Sequence, residues 1–461
     1  MGNAAFNYGC RFEQLFLGGQ GKEELMALLR GESHNYDEIA LDYYNAGLHE
    51  EACRVWSLAE ECGAVSPMTY YYWALSDRDR AEELCGKASA FNPKYCFPNR
   101  LEAIIALRNA MTINAKDAKA PYYLGNLYYD KRQYDLALQA WEKSAELDSS
   151  FPTVFRNLAL AYYNKQNDAQ KALSSMEKAF SLDPADSRIL MELDQLYKKL
   201  HKPHEERLAF LQKYPGLVGQ RDDLVLEEIT LLNMTGRYSE AKEKLDKHSF
   251  HPWEGGEGKV PAQYQFSRVE LARTAIANGK AADAVDLLKE CLEYPHNLGE
   301  GKLYGAQEND FHYWLGLAYN ALGRKEEAQL WLEKAAQGNL GPAAAMYYND
   351  AKPEKIFYQG LALKELGREK EARSRFHALT SYGEKHLFDE VVMDYFAVSL
   401  PDLAIWDADL QQKNRVHCLF MLALGHYGLG EYEKSRKYFD QAYSLDPDHQ
   451  GMLSFKLLIE S

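Results

Sequence analysis

No apolar run in this chain approaches the ~20 residues that a helix needs to cross a bilayer. The longest, such as Cys418 to Leu424, stops far short, and no basic leader followed by an apolar segment opens the sequence. That argues against a membrane partner, and a cytoplasmic location is expected. Cysteine is sparse and unpaired. Cys10, Cys53, Cys62, Cys85, Cys96, Cys291 and Cys418 form an odd set of seven with no CxxC among them. This argues against a disulfide framework and a structural zinc site, so neither metal nor cofactor is expected. Positive charge is in deficit, with 53 basic against 68 acidic residues and a formal charge of −15. Such a chain repels a phosphate backbone, which argues against nucleic acid. Tyrosine is abundant instead. There are 32 copies in 461 residues, many adjacent, as in Tyr70–Tyr71–Tyr72, Tyr122–Tyr123, Tyr128–Tyr129 and Tyr162–Tyr163. In helix pairs that pack ridges into grooves, one tyrosine of each doublet is expected in the core and its neighbour in a groove.

The clearest unit is APYYLGNLYYDKRQYDLALQAWEKSAELDSS, residues 120–150. Leu124, Gly125 and Tyr128, then Tyr134, Ala137 and Trp141, recur at helical spacing on either side of the polar DKRQ turn, which describes a helix hairpin. FRNLALAYYNKQNDAQKALSSMEKAFSLDP repeats the scheme with Leu158, Ala159, Tyr162, Ala172, Met176, Ala179 and Pro184. Further copies follow Ala40, Tyr43, Gly47, Ala52 and Trp56; Leu315, Gly316, Tyr319, Ala328 and Leu332; Gly360, Ala372 and Phe376; and Ala423, Gly430, Phe439 and Ala442. These offsets resemble the tetratricopeptide repeat. The resemblance implies an all-α, right-handed superhelical solenoid of about 9–10 helix hairpins, each burying an apolar face against its neighbours. The expected organisation is a helical lead-in over residues 1–35, repeats over 36–249, a repeat with long Gly-rich loops over 250–310, and repeats over 311–461. The expected softer joint is Phe250 to Tyr264, where Pro, Gly and Trp interrupt the helices.

If the first helix of each pair lines a groove, Tyr122, Asn126, Tyr129, Arg156, Asn157, Tyr163, Asn164 and Arg188 face it. Asparagine can donate to and accept from the backbone of an extended peptide without demanding a particular side chain. Asn126, Asn157 and Arg188 match by spacing three positions of the tetratricopeptide clamps that grip a C-terminal carboxylate. Tyr122 and Glu192 stand where two cations of such a clamp belong, so that reading is disfavoured.

HPWEGGEGKVPAQ, residues 251–263, and PHNLGEGKLYGAQ, residues 295–307, spell Gly-Glu-Gly-Lys twice. Val260 and Leu303 follow the lysines, so neither segment has the G-x-x-x-x-G-K-[ST] spacing of a phosphate loop. Both fall between helix pairs and are longer than such joints require. They are expected to lie side by side on one edge and to form a docking edge with Trp253, Glu254, Glu257, Lys259, Glu300, Lys302 and Asp310, Trp253 being its aromatic anchor. The segment Asp394–Leu403 and Trp406 extend that edge. Histidine and carboxylates are plentiful nearby, among them His251, His296, His312 and the pair His386 and Asp389. No HExxH, nucleophile elbow or close histidine cluster accompanies them, and the chain is read as no enzyme.

At HPWEGGEGK, NLGEGKL, YYND, YGEKHLFDE and DYFAVSLPDL, with PYYLGNLYYD and FPTVFRNLALAYYNK, the chain is similar to the C-terminal repeat region of large bacterial proteins. Those proteins carry upstream an uncharacterised β-rich domain of the sugar-mutarotase and glycoside-hydrolase sandwich type. The resemblance implies a protein-interaction scaffold in a carbohydrate-related bacterial protein, docking its own upstream domain or an extended peptide. The alternatives are a carbohydrate-binding accessory module that takes a glycan on its aromatic groove and, less favoured, a glycoside hydrolase.

Overall fold

The computed structural model describes residues 8–339, 341–344, 352–392 and 405–460. The YYND segment and the Asp394–Leu403 segment, with Tyr395 and Phe396, lie outside the described residues. All regular structure among the described residues is helical, and contacts group the chain into two compact units that divide between Asp183 and Pro184.

The first unit contains α1 (Tyr8–Gly18), α2 (Lys22–Leu29), α3 (Ser33–Asn45), α4 (His49–Glu61), α5 (Pro67–Ser76), α6 (Ala81–Ala90), α7 (Leu101–Ile113), α8 (Lys119–Asp130), α9 (Tyr134–Leu147), α10 (Pro152–Gln166) and α11 (Ala169–Leu182). The second contains α12 (Ser187–Lys199), α13 (His204–Leu211), α14 (Pro215–Val218), α15 (Asp222–Met234), α16 (Tyr238–Lys247), α17 (Lys259–Ala277) and α18 (Ala281–Glu290). It continues through α19 (Asn309–Ala321), α20 (Lys325–Ala335), α21 (Pro353–Glu365), α22 (Glu369–His386), α23 (Leu410–Gly428), α24 (Tyr432–Leu445) and α25 (Gln450–Glu460). Phe250 to Tyr264 falls inside the second unit.

Two devices make the hairpins. A small residue in the first helix admits a bulky one from the second. A Cβ on Gly125 would stand 2.4 Å from Trp141, one on Gly316 2.7 Å from Leu332, and one on Gly360 2.4 Å from Phe376. The turn between helices needs one left-handed residue, which glycine adopts without strain: Gly323 has φ 73° and Gly430 has φ 83°. Where the sequence lacks that glycine, Arg132 and Asn167 take the same conformation, at φ 58° and 54°.

The doublets Tyr128–Tyr129 and Tyr162–Tyr163 follow the one-in, one-out expectation, and two other clusters depart from it. Tyr70, Tyr71 and Tyr72 are all buried, as are Tyr122 and Tyr123, whereas Tyr129 and Tyr163 are half-buried. A stacked hairpin is covered on more than one face, so adjacent tyrosines can both be enclosed. Their hydroxyls need acceptors when that happens. Tyr71 donates to Asp117 at 2.7 Å and Tyr70 to Glu60 at 3.0 Å, so two carboxylates carry the polar end of the cluster.

Candidate functional site

In the first unit, the two asparagines expected in a groove meet. Asn157 Nδ2 on α10 donates to Asn126 Oδ1 on α8 at 3.0 Å. The same oxygen accepts from Trp141 Nε1 at 3.1 Å, and Trp141 also donates to the Tyr122 carbonyl at 3.2 Å. Arg156 Nη1 donates to Asn157 Oδ1 at 3.3 Å. Burial pushes the Tyr122 hydroxyl up, and hydrogen bonds from Asn126 and Asn157 partly counter that. Tyr129 stands 5.3 Å from Trp141, ring to ring, and Tyr122 4.8 Å from Phe151. The result is a polar ladder on an aromatic floor, joining adjacent hairpins. Tyr163 and Asn164 lie half-buried about two helical turns further along α10. Arg188 belongs to the second unit, where its Nε bonds the buried Glu192 at 2.9 Å.

The second unit holds a polar strip that sequence reasoning did not single out. On α17, Gln263, Arg268 and Glu270 are buried and Arg273 nearly so. Arg268 ties α16 to α18, bonding Asp246 and Glu290, and lies 3.5 Å above the Tyr264 ring. Gln263, Glu270 and Arg273 instead meet the last helix, α25. Gln263 and Gln450 exchange amide hydrogen bonds at 2.7 and 2.8 Å, and Asn233 of α15 donates to Gln263 at 2.9 Å. Arg273 donates to the Ser454 carbonyl at 3.1 Å, and the Ser454 hydroxyl bonds Glu270. Just before α25, Asp448 accepts from Arg207 at 3.2 Å and contacts His204 at 2.9 Å. Arg207 is fully buried, and Asp194 and Glu227 also bond it, at 2.7 and 2.6 Å. Burial pushes the Asp448 carboxyl up, but the His204 hydrogen bond and the charges of Lys198 and Arg207 win and hold it below the usual carboxylate range.

The two Gly-Glu-Gly-Lys loops stand side by side. Gly258 N, at the start of α17, donates to Glu300 Oε2 of the second loop at 2.8 Å. Phe250 N donates to the Asn297 carbonyl at 2.8 Å, and the Asn297 amide bonds the carbonyls of Leu245 and His248, each at 2.8 Å. Gly299 has φ 74°, and a Cβ there would meet the Phe250 carbonyl oxygen at 2.5 Å, so both conformation and clearance require glycine. Glu300 thus satisfies an orphan amide at a helix start.

The remaining loop residues divide. Lys302 turns back to the Leu292 carbonyl at 2.8 Å and to Glu308, while Asp310 pairs with Lys355. Trp253 is half-buried against Gly256, where an added Cβ would stand 2.3 Å from the ring. Glu254 and Lys259 are exposed and Glu257 is half-buried. Trp406 is 4% exposed and donates to the Glu192 carbonyl at 3.0 Å, a contact of the second unit with itself. His386 and Asp389 pair at 2.5 Å. Among the described residues no group of three His, Cys, Asp or Glu side chains could hold a metal ion, and no helix is long and apolar enough to cross a membrane.

Family models converge on these hairpins. TPR repeat models match residues 125–166 and 157–186, a tetratricopeptide repeat model matches 269–347, and a Fis1 C-terminal tetratricopeptide repeat model matches 417–461. The helix pairs within those residues are tetratricopeptide repeats. Solved repeat proteins match the chain at low identity. YrrB, a TPR protein with an unusual peptide-binding site, is 20% identical over 50% of this chain and 90% of its own, at a TM-score of 0.28. A tetratricopeptide repeat protein from Parabacteroides merdae is 16% identical over 72% of this chain and 98% of its own, at 0.29. The Naa15/Naa10 structure bound to HypK-THB is 14% identical over 91% of this chain and 64% of that one, at 0.34.

Proposed function

We propose that this repeat protein is a non-catalytic scaffold that holds an extended polypeptide on the Asn126–Asn157 ladder of its first unit. The observation that carries this is the 3.0 Å bond between two half-buried amides on neighbouring repeats, beside the rings of Trp141 and Tyr129. Amide side chains can exchange one another for a peptide N–H and C=O at little net cost, since each bond broken is replaced by one of the same kind. The second unit offers support by example. There Asn233 donates to Gln263, amides on successive first helices, and Gln263 in turn exchanges hydrogen bonds with the amide of a third segment, Gln450. A random extended-peptide library displayed against the wild type should enrich ligands. The Asn126→Ala/Asn157→Ala variant should bind them about 1–3 kcal/mol more weakly, as expected for two lost hydrogen bonds. Failure to enrich, or affinity indifferent to both asparagines, sinks the reading.

A finer element of the proposal is that the paired loops dock a β-rich domain lying upstream in a carbohydrate-related bacterial protein. Leu303 is 58% exposed and Tyr304 fully exposed, and both follow directly on the Lys302 end of the second loop, near the clamp made by Glu300. Large exposed apolar side chains of this kind mark contact surfaces when they cluster. Binding of such a domain to this chain should fall at least tenfold for Tyr304→Ala combined with Trp253→Ala. No binding, or binding unaltered by the pair, removes the docking edge.

A further inference from the structure

Helix α7 is the odd helix of the first unit. α5 pairs with α6 and α8 with α9, while α7 packs between α5 and α8 without a hairpin mate of its own. Its exposed residues, Leu101, Ile105, Arg108 and Thr112, follow the spacing of a single helical stripe. Two of them are large and apolar, Leu101 at 70% exposure and Ile105 at 55%.

The loop that leads into α7 enlarges the patch. From Tyr95 to Asn99 the chain alternates, with Cys96 and Pro98 buried and Tyr95 and Phe97 turned outward, 91% and 77% exposed. Tyr95 has φ 61°, a left-handed conformation that a bulky residue holds only where its surroundings impose it. They do so from both sides. Lys119 bonds the Phe91 carbonyl, Lys94 N donates to Asn92 Oδ1 at 2.9 Å, Arg100 pairs with Glu38 of α3, and Asn45 of α3 donates to Glu102 at 3.0 Å. Two aromatic rings are thus held in water on a strained and anchored backbone, which folding of the hairpins does not require.

With each ring taken as ~150–250 Å², the four apolar side chains expose about 500 Å², as much as the largest patch on an ordinary monomer. Face to face in two copies they remove about 1,000 Å² from water, the lower bound of a specific interface before any flanking polar residue is counted. The charges of α7 fit the same arrangement. In an antiparallel pair of α7 helices crossing at Ile105, Glu102 of each copy falls opposite Arg108 of the other, because the two stand three residues before and three after the axis. Both keep bonding capacity for it: Arg108 uses one donor on the Tyr128 hydroxyl, at 2.7 Å, and Glu102 one oxygen on Asn45.

We propose that Tyr95, Phe97, Leu101 and Ile105 form a two-fold interface between two copies of this chain, each α7 acting as the other's hairpin mate. Two Glu102–Arg108 pairs across the axis set the register and the antiparallel sense.

Sedimentation velocity of the full chain over a concentration series tests this. The wild type should show a reversible monomer–dimer equilibrium. Glu102→Arg and Arg108→Glu should each weaken the dimer at least tenfold, because each sets like charges opposite one another twice. An equimolar mixture of the two variants should restore dimerisation, since every opposed pair in the mixed dimer is again of opposite sign; a structural role of either residue within its own chain gives no such rescue. Tyr95→Gly removes ring and strain together, so it should also lose the dimer at least tenfold while its thermal midpoint, taken at monomeric concentration, stays level or rises. Should either charge variant fail to fold, Tyr95→Gly decides alone. A wild type monomeric at every concentration overturns the proposal, and so do dimers indifferent to Tyr95→Gly, or two weakened charge variants that mixing does not rescue. Wild type that stays monomeric but binds vesicles of phosphatidylcholine and phosphatidylserine, with binding lost in Tyr95→Gly, would assign the patch to a lipid surface and overturn it likewise.

Discussion

His312 sits in a site that disfavours its charge. Its ring lies 5.2 Å from Trp331 and 4.9 Å from Phe311, and burial, aided by the Lys334 charge, lowers its pKa to about 4. The folded pKa is below that of the unfolded chain, about 6.5. The unfolded state therefore takes up the proton first, and stability is lost as pH falls from about 6.5 towards 4. Chemical unfolding midpoints measured at pH 7 and pH 5 should fall further for the wild type than for His312→Gln; equal falls would contradict the burial account. Other residues show what the sequence could and could not announce. The repeated Gly-Glu-Gly-Lys spelling predicted that two loops stand together, and Gly258 and Glu300 do. Which side chains each loop would keep for itself was not readable, because Lys302 and Glu308, or Asp310 and Lys355, come together only through the turns between helices.

At the scale of elements, the repeat frame was legible because hairpin packing imposes strict size rules at fixed offsets. Gly125, Gly316 and Gly360 each face a bulky residue sixteen positions on, at Trp141, Leu332 and Phe376, and those are the positions the sequence pattern marked. The rule yields a paired prediction. Gly125→Ala gains helix propensity of ~1 kcal/mol but drives a methyl into an indole fixed by two hydrogen bonds, so a net loss of about 1–3 kcal/mol is expected. Gly86, exposed within α6 with open space around a Cβ, should gain about 0.5–1 kcal/mol on substitution by alanine. Thermal denaturation of both variants checks the sign; a stabilised Gly125→Ala would refute the close-approach argument. Helix α17 shows where periodicity failed. Its nineteen residues bury charged and amide side chains together with apolar ones, so no apolar stripe marks its inner face.

At the scale of the whole molecule, the second unit's polar strip was invisible in the sequence because its pairings span 187 residues between Gln263 and Gln450 and 241 between Arg207 and Asp448. No local pattern carries information over such distances. The first unit's ladder was legible because Asn126 and Asn157 lie one repeat apart, so repeat register alone brings them together. Each unit thus has its own buried polar chemistry: an amide ladder between neighbouring repeats, and a charged and amide strip on α17 that pairs with the last segment of the chain. The scaffold reading rests on the first of these being read through backbone rather than side chains. Its most direct test is calorimetric titration of one selected peptide, in parent form, with single backbone N-methyl groups, and with single side chains cut to alanine. The account predicts at least a tenfold loss of affinity for N-methylation at the residues facing Asn126 and Asn157, a loss that disappears in the Asn126→Ala/Asn157→Ala variant, with smaller effects from the side-chain changes. Affinity governed by side chains and untouched by N-methylation would contradict it.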